Sequence, residues 1–214
     1  MEYLVELSTA YTAVVADALD QVGIRDHALD PAIRALHGSA TVVGRAVPVR
    51  VKASEARPDP PYEEWIRLIE LVQPGDAVVI AVDDGVRAAT WGELFSCAAL
   101  GRGAQLAISD GFVRDATSTT AVGFPVFALG CSPLDTFGRA EIASIGDDVR
   151  CGGVPVSRGD YMVADADGVV AVPANAVERV MALVREKARR ESGGREELLA
   201  GMSVREVWDR YGVF

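Results

Sequence analysis

Three short, almost unbroken apolar runs do most to fix what this chain can fold into. They are DAVVIAV (76–82), QLAIS (105–109) and PVFAL (125–129). A strand wetted on one face alternates apolar and polar residues; a short run that does not alternate is a strand covered on both faces. Pro74-Gly75-Asp76 turns the chain into the first run, and Asp83-Asp84-Gly85 closes it. Between the first and second runs, residues 93–101 predict a helix. Strand, helix, strand in this order predicts a βαβ unit, and the loops at one end of such a sheet are where ligand groups gather.

The flanks add elements without adding a second fold. Residues 12–22 (TAVVADALDQV) repeat apolar positions at helical spacing, and Gly23 stops them. Residues 39–51 (SATVVGRAVPVRV) predict a long strand that Pro48 could break. Three prolines make 54–62 a loop, and 63–72 predict a helix. From Gly152 the pattern changes to short strands, GVPV, YMVAD and, past the Asp165–Gly168 turn, GVVAVP. A long helix is expected from Pro173 to about Ser192, and a short one near 203–211. There is no repeat or linker, so the expectation is one α/β domain over 1–214 with a helical extension from about 174.

A chain of 214 residues, half of them hydrophobic, can bury one sizeable core. It carries 21 basic and 31 acidic residues, a net charge of −10. That balance argues against a nucleic-acid surface or an anionic membrane surface, both of which need clustered positive charge. No apolar run approaches the ~20 residues that span a bilayer. The opening MEYLVELSTA has two acids and no basic residue, unlike a secretory signal, so a cytoplasmic protein is expected. Cys97, Cys131 and Cys151 form no Cys-x-x-Cys pair and read as reduced, mostly buried thiols. His27 and His37 read as surface histidines in polar loops. Gly101-Arg102-Gly103 follows a helix and lacks a third glycine, so it is not a nucleotide loop.

Chemistry concentrates in residues 91–115, WGELFSCAALGRGAQLAISDGFVRD. Gly92 precedes a helix that opens Glu93, Leu94, Phe95, and the free N–H groups of a helix start make an anion site. Arg114 directly precedes Asp115 after a strand and a glycine turn. An arginine there can hold a carboxylate with two parallel bonds, and an adjacent aspartate can bind a hard cation. Twenty residues separate Glu93 from Arg114, enough for one helix and one strand to bring the chain back.

With these residues the sequence resembles the RraA-like family, which includes the class II 4-hydroxy-4-methyl-2-oxoglutarate/4-carboxy-4-hydroxy-2-oxoadipate aldolases. The resemblance runs through TAVVADALDQVG (12–23), PGDAVVI (74–80), the Gly92–Asp115 core, FPVFALGCSPLDTFGRAEI (124–142) and GDYMVADADGVVAVP (159–173). In those aldolases an acid, twenty spacers and Arg-Asp mark the active site. Glu93, Arg114 and Asp115 match, with Glu where the best-known pattern has Asp. A further acid three positions after the pair is replaced here by Ser118.

The resemblance implies a layered α/β/β/α fold of the swivelling-domain type, in a homotrimer or a hexamer of two trimers. It implies a divalent cation, Mg²⁺ or Mn²⁺, on Asp115, with Glu93 holding a metal-bound water. Arg114 and the N–H groups from Gly92 to Phe95 would grip pyruvate. Glu191 is the candidate acid supplied by a neighbouring subunit. The implied reaction is retro-aldol cleavage of a 4-hydroxy-2-oxo diacid to pyruvate and a second oxo acid, through an enolate. A metal-organised water would be its base, and oxaloacetate decarboxylation a side activity. The competing expectation is a non-catalytic RraA-like regulator that binds and inhibits a ribonuclease by protein contact.

Overall fold

The computed structural model describes residues 2–38 and 40–212. In chain order the elements are α1 (Glu2–Leu7), α2 (Thr12–Gln21), β1 (Arg34–Ala35), β2 (Val42–Ala53), α3 (Glu63–Leu71), β3 (Asp76–Val82), α4 (Glu93–Gly101), β4 (Leu106–Val113), α5 (Ala116–Val122) and β5 (Val126–Cys131). They continue with β6 (Ala140–Ile145), β7 (Val149–Cys151), β8 (Val154–Val156), β9 (Tyr161–Asp165), β10 (Gly168–Val172), α6 (Val177–Leu199) and α7 (Val204–Tyr211).

β2, β3, β4 and β5 pair in parallel and in sequence order, joined by α3, α4 and α5. Successive right-handed crossovers in one direction put their helices on one face. Val78 and Ile80 of β3 accordingly share a core with Trp65 and Leu68 of α3 and Ala99 of α4. The alternate residues Ala77, Val79 and Ala81 face the other way, against Met162 and Ala164 of β9 and Val169 and Ala171 of β10. Beyond these, Val163, Val170 and Val172 turn outward onto α2 and α6. Side-chain alternation with period two thus separates three cores, and the layers are helix, sheet, sheet, helix. This is the expected mixed α/β fold in one domain.

Strand β2 joins the two sheet layers. One edge runs along β3 over Arg45–Val51, while the other meets β9 over Val42–Arg45 and β6 over Val49–Ala53. The expected break at Pro48 does not occur. The Pro48 carbonyl accepts from the Gly146 N–H on the β6 side. A residue's N–H and C=O leave a strand on the same side, so the missing N–H faces the interval between β9 and β6 and costs no ladder bond. Ser39, the expected first residue of this strand, lies outside the described residues.

Other expectations shift more. The strand expected to end at Asp110-Gly111 runs on to Val113 through a register shift between Ser109 and Phe112. α5 and β6 had no periodic apolar signal. α6 does not stop near Ser192 but continues through Gly193-Gly194 to Leu199. Those glycines leave room for α7: a Cβ on Gly193 would meet Tyr211 Cε1 at 2.8 Å, and one on Gly194 would meet Val207 at 3.2 Å. Only Cys151 of the three thiols is buried; Cys97 and Cys131 are exposed. His27 is buried rather than on the surface, sharing a 3.2 Å hydrogen bond with Asp20. No helix among the described residues is long and apolar enough to cross a membrane.

Candidate active site

Two backbone bonds fix the site. The Thr90 N–H donates to the Phe112 carbonyl at 2.8 Å, and the Arg114 N–H donates to the Trp91 carbonyl at 2.9 Å. They strap the segment entering α4 against the end of β4, so Gly92 meets Arg114-Asp115. Trp91 is buried, and its indole N–H donates to Ser96 Oγ, which in turn donates to the Gly92 carbonyl, both at 2.9 Å. These bonds hold the first turn of α4 in place.

At Asp115 the chain turns into α5 in the left-handed conformation, φ 57° and ψ 36°. Aspartate tolerates that region better than most residues. Its carboxylate does not cap α5. It reaches back to the start of α4, where Oδ2 accepts from the Glu93 N–H at 3.4 Å. Gly92 is extended, so its role is space, not φ: a Cβ there would sit 2.7 Å from Asp115 Oδ2 and 3.1 Å from Arg114 Cγ.

Arg114 bridges two acids, with Nε 3.5 Å from Asp115 Oδ2 and Nη1 3.4 Å from Asp135 Oδ2. The Tyr62 hydroxyl donates to Asp135 Oδ2 at 2.7 Å. Burial pushes the Asp135 carboxyl up, but the bonds from Tyr62 and the Phe137 N–H, with Arg114 and Thr136, outweigh it and hold the group below its ordinary value. The bond to Asp135, then burial, raises the Tyr62 hydroxyl above its ordinary range. Tyr62 also has a left-handed backbone, φ 65°. Among the described residues, Tyr62 and Asp115 are the two non-glycine positions with positive φ. Both line the same cavity of about 280 Å³. Strain of this kind persists where surrounding structure enforces it, and it clusters at functional sites.

Of the residues singled out in the sequence, Gly92, Leu94, Phe95, Arg114 and Asp115 line this cavity. Glu93 is half-buried at the first position of α4, beside the lining rather than in it. Glu191 lies on α6, in the opposite outer layer, 3.6 Å from Lys187 Nζ. Within one chain it is remote from Arg114. Sequence reasoning missed Tyr62, Trp65 and Asp135, which the fold delivers from a proline-rich loop, from α3 and from the loop after β5. The only signal for Asp135 was its place in SPLDTF, inside one stretch of the family resemblance.

The donor set suits a hard cation held by few protein groups. No group of three or more His, Cys, Asp or Glu that could cage a metal exists among the described residues. Asp115 contributes one half-exposed carboxylate, and its Oδ2 contacts are long, at 3.4 and 3.5 Å. Mg²⁺ and ions like it keep several waters and take one or two carboxylates plus substrate oxygens, which this arrangement permits.

The chain is 30% identical over 187 residues to a protein of Halalkalibacterium halodurans named "Putative 4-hydroxy-4-methyl-2-oxoglutarate aldolase", covering 87% of this chain and 84% of that protein. Two solved structures share the fold. One, titled as novel cellulases from gut-associated microbes, superposes with a TM-score of 0.85 at 25% identity, covering 90% of this chain and 86% of that one. The other is Streptomyces coelicolor RraAS2, described as an unusual member of the RNase ES inhibitor RraA protein family. Its TM-score is 0.80 at 25% identity, covering 91% of this chain and 96% of that one. The RraA-like family model, described as Aldolase/RraA, matches residues 12–171, which run from the first residue of α2 almost to the end of β10 and include every residue lining the cavity; the chain belongs to the RraA-like family.

Proposed function

We propose that this protein is a divalent-metal-dependent carbon–carbon lyase that releases pyruvate from a 4-hydroxy-2-oxo acid. One observation carries the reading: the two strained residues, Tyr62 and Asp115, converge on the cavity that presents Arg114. A fold that tolerates left-handed backbone at two non-glycine sites in one cavity is maintaining a geometry, and the geometry here is an arginine between two carboxylates. The naming of the Halalkalibacterium relative supports the same class.

Each residue has a task. Asp115 would hold Mg²⁺ or Mn²⁺, which when bound supplies a Lewis acid toward the 2-oxo acid end of the substrate. Arg114 aims its guanidinium at the substrate carboxylate and at the 2-oxo oxygen, where negative charge develops. The Leu94 and Phe95 N–H groups, without partners inside α4 by their position, add donors at the same end. Tyr62 keeps its proton and donates a hydrogen bond to Asp135, so it positions that acid and is no base. In the cleavage the C3–C4 bond breaks and its electron pair passes to C3 and the 2-oxo oxygen. The 4-hydroxyl proton leaves to water, C4 becomes a carbonyl, and protonation at C3 completes pyruvate. Loss of CO₂ from oxaloacetate produces the same enolate without the hydroxyl proton transfer, and belongs to the proposal as a side activity. A trimer, or two stacked trimers, would let Glu191 of a neighbour approach the site.

The second reading, a regulator acting by protein contact, is favoured by the likeness to RraAS2. The test is pyruvate release from a panel of 4-hydroxy-2-oxo acids and oxaloacetate, with Mg²⁺ and with chelator. Chelator-sensitive release is expected; no release from any compound favours the regulator.

A further inference from the structure

Arg114 and Asp115 are neighbours in the chain, so the sequence itself sets a permanent cation beside the carboxylate assigned to the metal. Arg114 Nε stands 3.5 Å from Asp115 Oδ2, the oxygen that also accepts from the Glu93 N–H at 3.4 Å. A guanidinium never gives up its charge. A guanidinium seated squarely on Asp115 would neutralise it and repel a second cation. Something must keep the Arg114 contact long.

The fold brings Asp135 to the same guanidinium from the loop after β5, with Oδ2 3.4 Å from Arg114 Nη1. Nε–H and Nη1 lie on different edges of the guanidinium, so the two acids pull it in different directions. The Asp135 carboxylate is itself aimed. Its Oδ1 accepts from the Phe137 N–H and the Thr136 hydroxyl, each at 3.3 Å, and its Oδ2 accepts from Tyr62 at 2.7 Å. The loop is closed by the Thr136 carbonyl, which accepts from the Arg139 and Ala140 N–H groups, both at 2.8 Å. The cations nearby are engaged elsewhere. Arg139 Nη1 donates to the Asp135 carbonyl, Arg57 lies over the Phe137 ring at 6.0 Å, and Lys52 pairs with Glu141 at 3.0 Å. Among the described residues, Arg114 is the cation paired with the Asp135 carboxylate.

We infer that Asp135 is a positioning residue that draws Arg114 off Asp115 and so keeps Asp115 open to a divalent cation. This rests on the pyruvate-lyase reading, which places the metal on Asp115, and deepens it. With Asp135 present, one guanidinium is shared by two carboxylates, and the site keeps a net negative charge for the cation. Without it, Arg114 and Asp115 become a closed, neutral pair. All of these contacts lie within one chain, so an acid from a neighbouring subunit would add to the arrangement without replacing it.

The experiment measures Mn²⁺ affinity of the full-length protein from the spin-resonance signal of unbound Mn²⁺. The variants are Asp135→Asn, Arg114→Gln and the two combined, with Asp115→Asn marking the site. Asp135→Asn should raise the Mn²⁺ Kd about tenfold, the low end for groups that act on a metal ligand from behind, because these side chains are partly exposed. Arg114→Gln should lower the Kd. In the Arg114→Gln background, Asp135→Asn should then change the Kd by less than about twofold, since the intermediary is gone. An equal loss in both backgrounds would mean that Asp135 acts through its own field or through the shape of its loop, and overturns the inference. An unchanged Kd in Asp135→Asn, or no tightening in Arg114→Gln, overturns it too. Asp135→Ser, whose hydroxyl can also accept from the Phe137 N–H, repeats the cycle if the asparagine variant does not fold. Absence of Mn²⁺ binding, or binding untouched by Asp115→Asn, overturns the inference. If Mn²⁺ binds through Asp115 but no oxo acid releases pyruvate, the lyase reading falls and the cycle of variants still decides the role of Asp135.

Discussion

The Asp115 carboxylate lies 2.7 Å from the point that a Cβ on Gly92 would occupy. No side chain fits between them without moving the acid or the Arg114 stem beside it. Gly92→Ala should therefore fold normally, because its backbone is extended, and should fail in the site. A displacement of ~1 Å costs on the order of a hundredfold in rate. Pyruvate release and a melting curve measured together check this; an active Gly92→Ala protein contradicts it.

Asp115→Asn separates charge from shape. Asparagine accepts the left-handed backbone that Asp115 adopts, so the melting temperature should barely change. The amide lacks the charge a hard cation needs, so Mg²⁺-dependent turnover should vanish. Retention of full Mg²⁺-dependent activity would remove Asp115 from the metal site.

Arg114→Lys keeps the charge and loses the fork. Arginine spans Asp115 and Asp135 with different nitrogens, which a single ammonium cannot reproduce. If the guanidinium acts on developing charge, kcat should fall about a hundredfold with a smaller change in KM. Near-normal kcat with a lowered melting temperature would show a structural ion pair instead.

Tyr62→Phe should weaken the protein in a pH-dependent way. Asp135 is held below its ordinary value of 3.8, so it binds fewer protons in the native state than in the unfolded chain. Its contribution is complete above that value and disappears as pH falls through the native one. The melting-temperature gap between parent and Tyr62→Phe should be widest near neutrality and close below about pH 4. A gap that ignores pH would mean that Tyr62 acts by packing alone.

Gly193→Ala tests the α6–α7 contact. Alanine in a helix normally gains ~1 kcal/mol over glycine. Here its Cβ would stand 2.8 Å from the Tyr211 ring, so the melting temperature should drop. In a Tyr211→Ala background the same change should stabilise. If it stabilises in both backgrounds, the contact is not what requires glycine.

The sequence was most legible where chemistry and local order coincide. Residues 76–82 and 93–101 match their predicted bounds because a covered strand and a glycine-led helix each leave a local signature. Gly92, Arg114 and Asp115 could be singled out because one helix and one strand bring them together. Tyr62 and Asp135 could not, since 72 residues separate them and only the sheet order makes them partners. The long helix was expected to end near Ser192 because the reason for Gly193-Gly194, the contact with α7, lies in tertiary packing. His27 was misjudged because its cover comes from distant segments.

The arrangement around β2 bears on how the chain comes to be folded. Its twelve residues are made before the partners of one edge, residues 140–145 and 161–164. Until roughly a hundred further residues have been made, that edge is a row of unmet amide and carbonyl groups. Contacts so distant in sequence are slow to close, and an open strand edge invites pairing between nascent chains. Any delay between making β2 and making β6 and β9 therefore favours aggregation over the native sheet.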